Sequence, residues 1–349
     1  MKKYLKILGS FIGLIVLAAV GVVGFVTLTE YRPASIESLP VPNNSQKLQL
    51  GHSISLLTYN IGYGGLGSTE TFFMDGGKTV QPESKKMVIT NLSGIAKTLK
   101  QHQTDIVLMQ EVDHLSKRSY MYNQEKYFQK ELGKSSVFAY NFKVAYVPFP
   151  LPPIGRVESG VMTMTNYQIA EAKRLAMPTS FKWPVSTSNL KRALLETRIP
   201  IEGSSKELVV FNLHLDAYDN GAGKIAQSKM LADTLEKEYD KGNYVIAGGD
   251  FNQIFEGSRV FPKQYKKGWK PGHINHSDLP SSFRFAFADN YPTVRVLNAP
   301  YTGSYETSQV YVVDGFVVSD NLSVSKTEVI NTDFKYTDHH PVKINLEFK

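Results

Sequence analysis

Six segments of the chain place acid, amide or imidazole groups at or just past the ends of apolar runs. They carry Asn60, Glu111, Asn212 with His214, Asp250 with Asn252, Asp314, and Asp338 with His339. The clearest is the stretch from Tyr244 to Gln253, an apolar run that ends in Gly248 and Gly249 and then delivers Asp250 and Asn252. One such residue in a strand is commonly a cap or a satisfied polar group. Six together ask for a partner, because buried charge is costly unless it is paired or binds a metal. The chain contains 0 cysteines, which excludes disulfides, thiolate metal sites and a cysteine nucleophile. Carboxylate and amide oxygens suit a hard cation, Mg²⁺ above all, with Mn²⁺ or Ca²⁺ as further candidates. His214 and His339 are then free for proton transfer or charge stabilisation. No Gly-x-Ser-x-Gly elbow is present. The chemistry this set allows is metal-assisted attack by water, without a covalent intermediate.

Strands must deliver these groups, and the chain supplies them in order. Residues 52–61 alternate and end near Asn60. Val88, Leu92, Ile95 and Leu99 form one apolar stripe and predict a helix over 83–102. An apolar strand over 105–110 follows and ends at Glu111. The same helix-then-strand order recurs, with a helix over 223–239 and a strand over 244–249. Strands are expected at 137–147, 160–165, 192–201, 207–215, 310–319, 322–330 and 342–348. Residues 148–153 are a proline-rich loop that cannot join a ladder. Residues 256–310 read as long loops with little regular structure.

Gly62-Tyr-Gly-Gly-Leu-Gly67 has the spacing of a dinucleotide fingerprint, but no helix pattern opens behind it. Gly77-Lys-Thr79 lacks the first glycine of a phosphate loop, where Phe72 stands. Both read as a loop beside a site. His273 and His276 lie in a loop without helical spacing and read as surface residues.

At 349 residues, with 42% hydrophobic and 20% charged content, the chain can bury a large core. Lys2, Lys3 and Lys6 precede an uncharged run from Ile7 to Leu28. That run is about 22 residues long, enough to span a bilayer at ~1.5 Å rise per residue. No small-x-small cleavage site follows it, so an uncleaved anchor is expected, with the lysines in the cytoplasm and the remainder outside. Residues 31–51 carry Pro33, Pro40 and Pro42 and read as an extended tether. The formal net charge is +7. Such a mild excess is compatible with a polyanion or an anionic membrane surface.

Leu57-Thr-Tyr-Asn60, Asp105-Ile-Val-Leu-Met-Gln-Glu111, Asn212-Leu-His214, Gly249-Asp-Phe-Asn252, Val313-Asp314 and Thr337-Asp-His-His-Pro-Val342 occur in one order along the chain. As an ordered set they resemble the endonuclease/exonuclease/phosphatase superfamily. That superfamily includes DNase I, abasic-site endonucleases, bacterial sphingomyelinases and inositol polyphosphate phosphatases. The resemblance implies an α+β fold: a four-layer α/β/β/α sandwich of two mixed, mainly antiparallel sheets over residues 52–349. It also implies roles. Glu111, with Asn60 beside it and Asp338 in support, would hold the metal. Asp250 would orient or deprotonate the water, and Asn252 would help hold the phosphate. His339, oriented by Asp314, would stabilise developing charge or protonate the leaving oxygen. His214 would contact the phosphate, with Asn212 as its neighbour. His340 should face away from His339, as neighbours on a strand do. The chain departs from the family pattern after Gly160, where a substrate-side arginine is expected; Arg156, Lys191 and Arg192 are the candidates to replace it.

The expected activity is therefore that of a membrane-anchored, extracytoplasmic, Mg²⁺-dependent phosphodiesterase without an obligate protein partner. Nucleic acid is the first expected substrate. A phospholipid head group or a sugar or inositol phosphate is the alternative, and an inactive binding module the remaining class. An apolar patch at 146–151 or 283–287 would favour lipid, and a basic groove would favour nucleic acid.

Overall fold

A computed structural model describes residues 1–219, 221–265 and 268–349. In chain order the elements are α1 (Lys2–Leu28), β1 (Ile36–Ser38), β2 (Ile54–Asn60), α2 (Lys85–Gln101), β3 (Ile106–Asp113), α3 (Gln124–Leu132), β4 (Ser135–Val147), β5 (Gly155–Thr165), β6 (Glu171–Ala176), β7 (Ala193–Pro200), β8 (Glu207–His214), α4 (Ala222–Asp240) and β9 (Tyr244–Asp250). Then come β10 (Gln253–Phe255), β11 (Gly272–Ile274), β12 (Phe283–Ala286), β13 (Val294–Arg295), β14 (Val310–Tyr311), β15 (Asp314–Ser319), β16 (Leu322–Val329) and β17 (Val342–Phe348).

Two mixed sheets dominate. One has 7 strands in the order β1-β6-β7-β8-β9-β15-β12, and the other has 6 in the order β16-β17-β2-β3-β5-β4. Each is antiparallel except for one central parallel pair, β8 with β9 and β2 with β3. Parallel neighbours leave the sheet at the same end, so each of these pairs brings two strand exits together.

Strand alternation assigns the faces. Leu56, Leu108, Val210, Ile246, Phe316 and Ile344 pack between the sheets. The alternate residues Leu57, Tyr59, Val107 and Met109 pack with Val88, Leu92, Ile95 and Leu99 of α2 and with Phe128 of α3. On the far side, Val209, Phe211, Val245 and Ala247 pack with Leu231 and Leu235 of α4. The layers therefore run α4, seven-stranded sheet, six-stranded sheet, α2 with α3, which is the four-layer α+β sandwich.

The α2 helix begins at the N-cap Ser84, whose side chain accepts from the Met87 N–H at 3.2 Å. Four elements carry too little pattern to read. The Glu-Ala-Lys-Arg-Leu-Ala run of β6 has helix-forming composition, yet its tertiary setting makes it a strand. Helix α3 is short and polar. Strand β12, inside the segment expected to be loop, pairs with β15 at the sheet edge. The fourth is β1. It lies in the segment expected as a tether, which is extended but laid along the domain. β1 pairs with β6, Leu48 is buried, and the Asn44 side-chain amide donates to the Thr165 and Tyr167 carbonyls at 3.2 and 2.9 Å. Helix α1 is long and apolar enough to cross a membrane.

Candidate active site

The inner faces of the central strands explain where the polar residues meet. On β2 the inward positions run Ile54, Leu56, Thr58, Asn60; on β8 they run Leu208, Val210, Asn212, His214. On β9 they run Ile246, Gly248, Asp250. Each series is apolar in the core and turns polar at the strand exit. Asp314 opens β15 directly opposite Asp250 in the antiparallel ladder. Glu111 arrives differently. The β3–β5 register slips between Met109 and Val112, and Glu111 adopts a φ of 56°. This bulge re-aims the carboxylate out of the ladder. Asn252 also has a positive φ, 51°, where asparagine is among the better-tolerated residues.

Asn60 ties the site together. Its side-chain amide donates to Glu111 Oε1 at 3.2 Å and to Asp250 Oδ2 at 3.0 Å, and lies 3.4 Å from His339 Nε2. His339 Nδ1 sits 2.8 Å from Asp314 Oδ2. Asp250 Oδ2 also faces His214 Nε2 at 3.3 Å and His339 Nε2 at 3.7 Å, while its Oδ1 accepts from the Asn252 N–H at 2.9 Å. The Asn252 side-chain amide donates to the Leu215 carbonyl at 2.9 Å.

The titration of the site follows from burial and neighbours. Burial pushes Asp250 up to about 6, with Asp314 adding to the rise and His339 opposing it. Burial also opposes charge on His339, but Asp314 and Asp250 outweigh it and lift the imidazole to about 10. Burial raises Asp338 to about 7, with His339 and Arg295 countering and Glu111 reinforcing the rise. His214 is held well below its ordinary value by burial and by the charges of Arg192, His339 and Arg118. At neutral pH the site thus holds an imidazolium at 339 and a neutral imidazole at 214.

Asp250, Asp314 and His339 present ligand atoms within 4.8 Å of one another. In this group the His339 imidazolium offsets one of the two aspartate charges. Glu111 raises the cost of charge on the buried Asp338. The nearby Arg295 spends its guanidinium on the carbonyls of Gly67, Glu70 and Ala299. Neither carboxylate has an ion-pair partner among the described residues, and such carboxylates fit a hard divalent ion.

Not every sequence-derived residue reaches the cleft. Asn212 lies one inward position deeper. Its amide donates to the Met109 and Met162 carbonyls at 3.2 and 2.9 Å, and its oxygen accepts from Gln110 at 2.8 Å. It bridges the two sheets, and its donors are not available to a phosphate. His340 points away from His339, stacks on Phe334 at 3.8 Å and lies 2.7 Å from the Pro292 carbonyl. His273 and His276 are exposed, and His276 pairs with Glu256 at 2.9 Å.

Among the candidate arginines, Arg156 is exposed and pairs with Glu158, and Lys191 pairs with Glu30 at 2.8 Å. Arg192 lines the cleft, donating to Asp216 at 3.2 Å while its Nη1 finds no partner among the described residues. Sequence reasoning missed Arg118, which grips Asp113 at 2.9 and 3.1 Å beneath the Tyr63 ring. It also missed Tyr218, whose hydroxyl donates to Asp75 at 2.6 Å. These come from loops and single turns, where no periodicity marks them; only the Gly62-Tyr-Gly-Gly65 run after Asn60 hinted at Tyr63.

The site opens into a cavity of about 600 Å³, with Asn60 and Asp314 behind its lining. Its floor holds Glu111, His214, Asp250, Asn252, Asp338 and His339. The 146–151 segment lies at its mouth, whereas Phe283 and Phe285 are buried in β12, away from it.

Comparison with known proteins agrees with this fold. No curated protein matches the chain. Among solved structures, an endonuclease/exonuclease/phosphatase from Beutenbergia cavernae DSM 12333 superposes with a TM-score of 0.58 at 15% identity, over 85% of this chain and 72% of that one. One from Bacteroides vulgatus gives 0.54 at 13% identity, over 85% and 100% of the two chains. Truncated TDP2 from Caenorhabditis elegans gives 0.53 at 14%, over 86% and 99%. At these identities the likeness establishes the fold. The sequence model of the Endonuclease/Exonuclease/phosphatase family matches residues 57–339, most of the folded domain. The chain therefore belongs to the endonuclease/exonuclease/phosphatase family.

Proposed function

We propose that the chain is a divalent-metal-dependent phosphodiesterase, held by α1 at the extracytoplasmic face of a membrane. The observation that carries this reading is the line Asp314–His339–Asp250–Asn60–Glu111, joined by contacts of 2.8, 3.7, 3.0 and 3.2 Å.

Water adds through its oxygen to phosphorus as one ester P–O bond breaks. Asp250, a buried carboxylate poised near neutrality, takes the proton of the incoming water. His339, kept cationic and oriented by Asp314, donates its proton to the departing oxygen. The products are a phosphomonoester and an alcohol. His214, neutral and with its Nδ1 free of partners among the described residues, would face the phosphate together with Asn252 and Arg192. Glu111 and Asp338, with Asn60 alongside, would hold Mg²⁺, for which Mn²⁺ or Ca²⁺ could substitute. The ion would polarise the phosphoryl oxygens and spread the charge of the transition state.

The test uses the full chain in detergent micelles with bis(4-nitrophenyl) phosphate, in Mg²⁺ and in chelator, beside Asp250→Asn. Hydrolysis should require the metal and fall by roughly 10²–10⁴-fold in the variant. Turnover that persists in chelator, or in Asp250→Asn, overturns the reading.

A further inference from the structure

The cleft is walled on one side by the apolar N-terminal helix itself. Val22, Val23 and Val26 of α1 line the same cavity as Glu111, Asp250 and His339. At ~1.5 Å per residue these valines lie within about 10 Å of the end of α1 at Leu28. If α1 crosses the membrane, that is the level where hydrocarbon gives way to head groups.

Three contacts fix this placement. The Trp183 indole N–H donates to Thr27 Oγ1 at 3.1 Å, Glu30 pairs with Lys191 at 2.8 Å, and Tyr31 packs edge-on against Tyr140 at 6.4 Å. The domain is thus seated on the end of its anchor, and Trp183 stands at the depth where indoles favour the membrane interface.

The rest of the mouth is apolar as well. Phe149 is 68% exposed, Leu151 86%, Trp183 63% and Val185 55%. Scattered exposed apolar residues need no explanation, but Phe149 and Val185 line this opening, and Leu151 and Trp183 lie within two residues of them in the chain. Phe149 packs edge-on against Phe73 at 5.9 Å, and both line the cavity.

A polyanion groove would look different. Among the described residues no lysine lines the cleft, and its three arginines are engaged by Asp113, Asp216 and backbone carbonyls. A nucleic-acid strand needs a run of free cations and stacking faces along its path.

We propose that the substrate is a membrane lipid carrying a phosphodiester. Its head-group phosphate meets Asp250, and its hydrocarbon lies between α1 and the 148–153 and 181–185 loops. The inference rests on the phosphodiesterase reading above. Hydrolysis splits such a lipid into a phosphomonoester and an alcohol; water supplies the hydroxyl on phosphorus and the hydrogen on the departing oxygen.

The test reconstitutes the full chain in Mg²⁺-containing vesicles of phosphatidylcholine, phosphatidylglycerol and sphingomyelin. Parallel reactions contain bis(4-nitrophenyl) phosphate or plasmid DNA. Expected is hydrolysis of vesicle lipid that drops at least tenfold more than soluble diester hydrolysis in Phe149→Ser/Leu151→Ser. Trp183 and Trp269 are the chain's 2 tryptophans. In Trp269→Phe, brominated lipid should therefore quench Trp183 fluorescence. Cleavage of DNA or the soluble diester with no cleavage of lipid overturns the lipid inference and leaves the phosphodiesterase reading intact. Equal losses on both substrates, or no quenching, also overturn the lipid inference. No hydrolysis of any diester overturns both.

Discussion

His339 Nδ1 lies 2.8 Å from Asp314 Oδ2, and the two residues enter from different sheets: Asp314 opens β15, and His339 precedes β17. The carboxylate fixes the imidazole's orientation and favours its charged form. Asp314→Asn removes the charge and leaves the shape. It should lower kcat by about 10²-fold, within the range for lost acid–base support. The loss should be larger for an alkyl leaving group than for 4-nitrophenolate, which needs no proton. Equal losses on the two would show that His339 does not act as the acid.

Asp338 is the buried carboxyl with most to gain from a cation. Raised from 3.8 to about 7, its ionisation at pH 8 costs at most about 4 kcal/mol, at roughly 1.36 kcal/mol per unit. Asp338→Asn should therefore stabilise the metal-free protein by about 2 kcal/mol. It should also shrink the rise in Tm that Mg²⁺ gives the parent, as should Glu111→Gln. Thermal melts with chelator and with Mg²⁺ read both effects.

Glu238 on α4 predicts an acid limit. It accepts from Arg198 at 2.8 Å, Lys241 at 2.5 Å and Asn243 at 3.0 Å. Burial opposes its charge, but Lys241 and Arg198 outweigh burial and lower its carboxyl below the ordinary 4.5. The unfolded chain thus takes up this proton first as pH falls. The stabilisation is complete above about pH 5 and disappears as pH drops through the folded value. Glu238→Gln should cost about 1–2 kcal/mol at pH 7, and its gap from the parent should close by about pH 3. Denaturant midpoints from pH 3 to 7 measure this.

Gly248 predicts a steric limit. A Cβ there would come 2.5 Å from the Phe316 ring and 2.9 Å from Leu108. Both neighbours are fully buried and cannot withdraw. Gly248→Ala should destabilise the domain by about 1–3 kcal/mol, seen as a lower denaturant midpoint.

Much of this was legible because strand exits leave a pattern. An apolar alternation that ends in Asn60, His214 or Asp250 tells where the core stops. The helical stripe Val88-Leu92-Ile95-Leu99 is the buried face of α2. The bulge at Glu111 was not legible, since a slipped register leaves the residue order unchanged. Nor was the spending of Asn212 on three partners across the sheets, which depends on how the layers dock. Arg118 and Tyr218 owe their positions to turns that no periodicity encodes. The proline-bearing stretch before β2 has the composition of a free linker, but pairing with β6 and the burial of Leu48 hold it down.

The bridging of the sheets by Asn212 has a kinetic corollary. Asn60 and Glu111 belong to one sheet and His214, Asp250 and Asp314 to the other, so neither half alone holds a working set. The site comes into being only when the halves lock in a single register. Recovery of turnover during refolding should therefore lag the return of secondary structure and time the last docking event, making the enzyme's own catalysis the clock for completion of its fold.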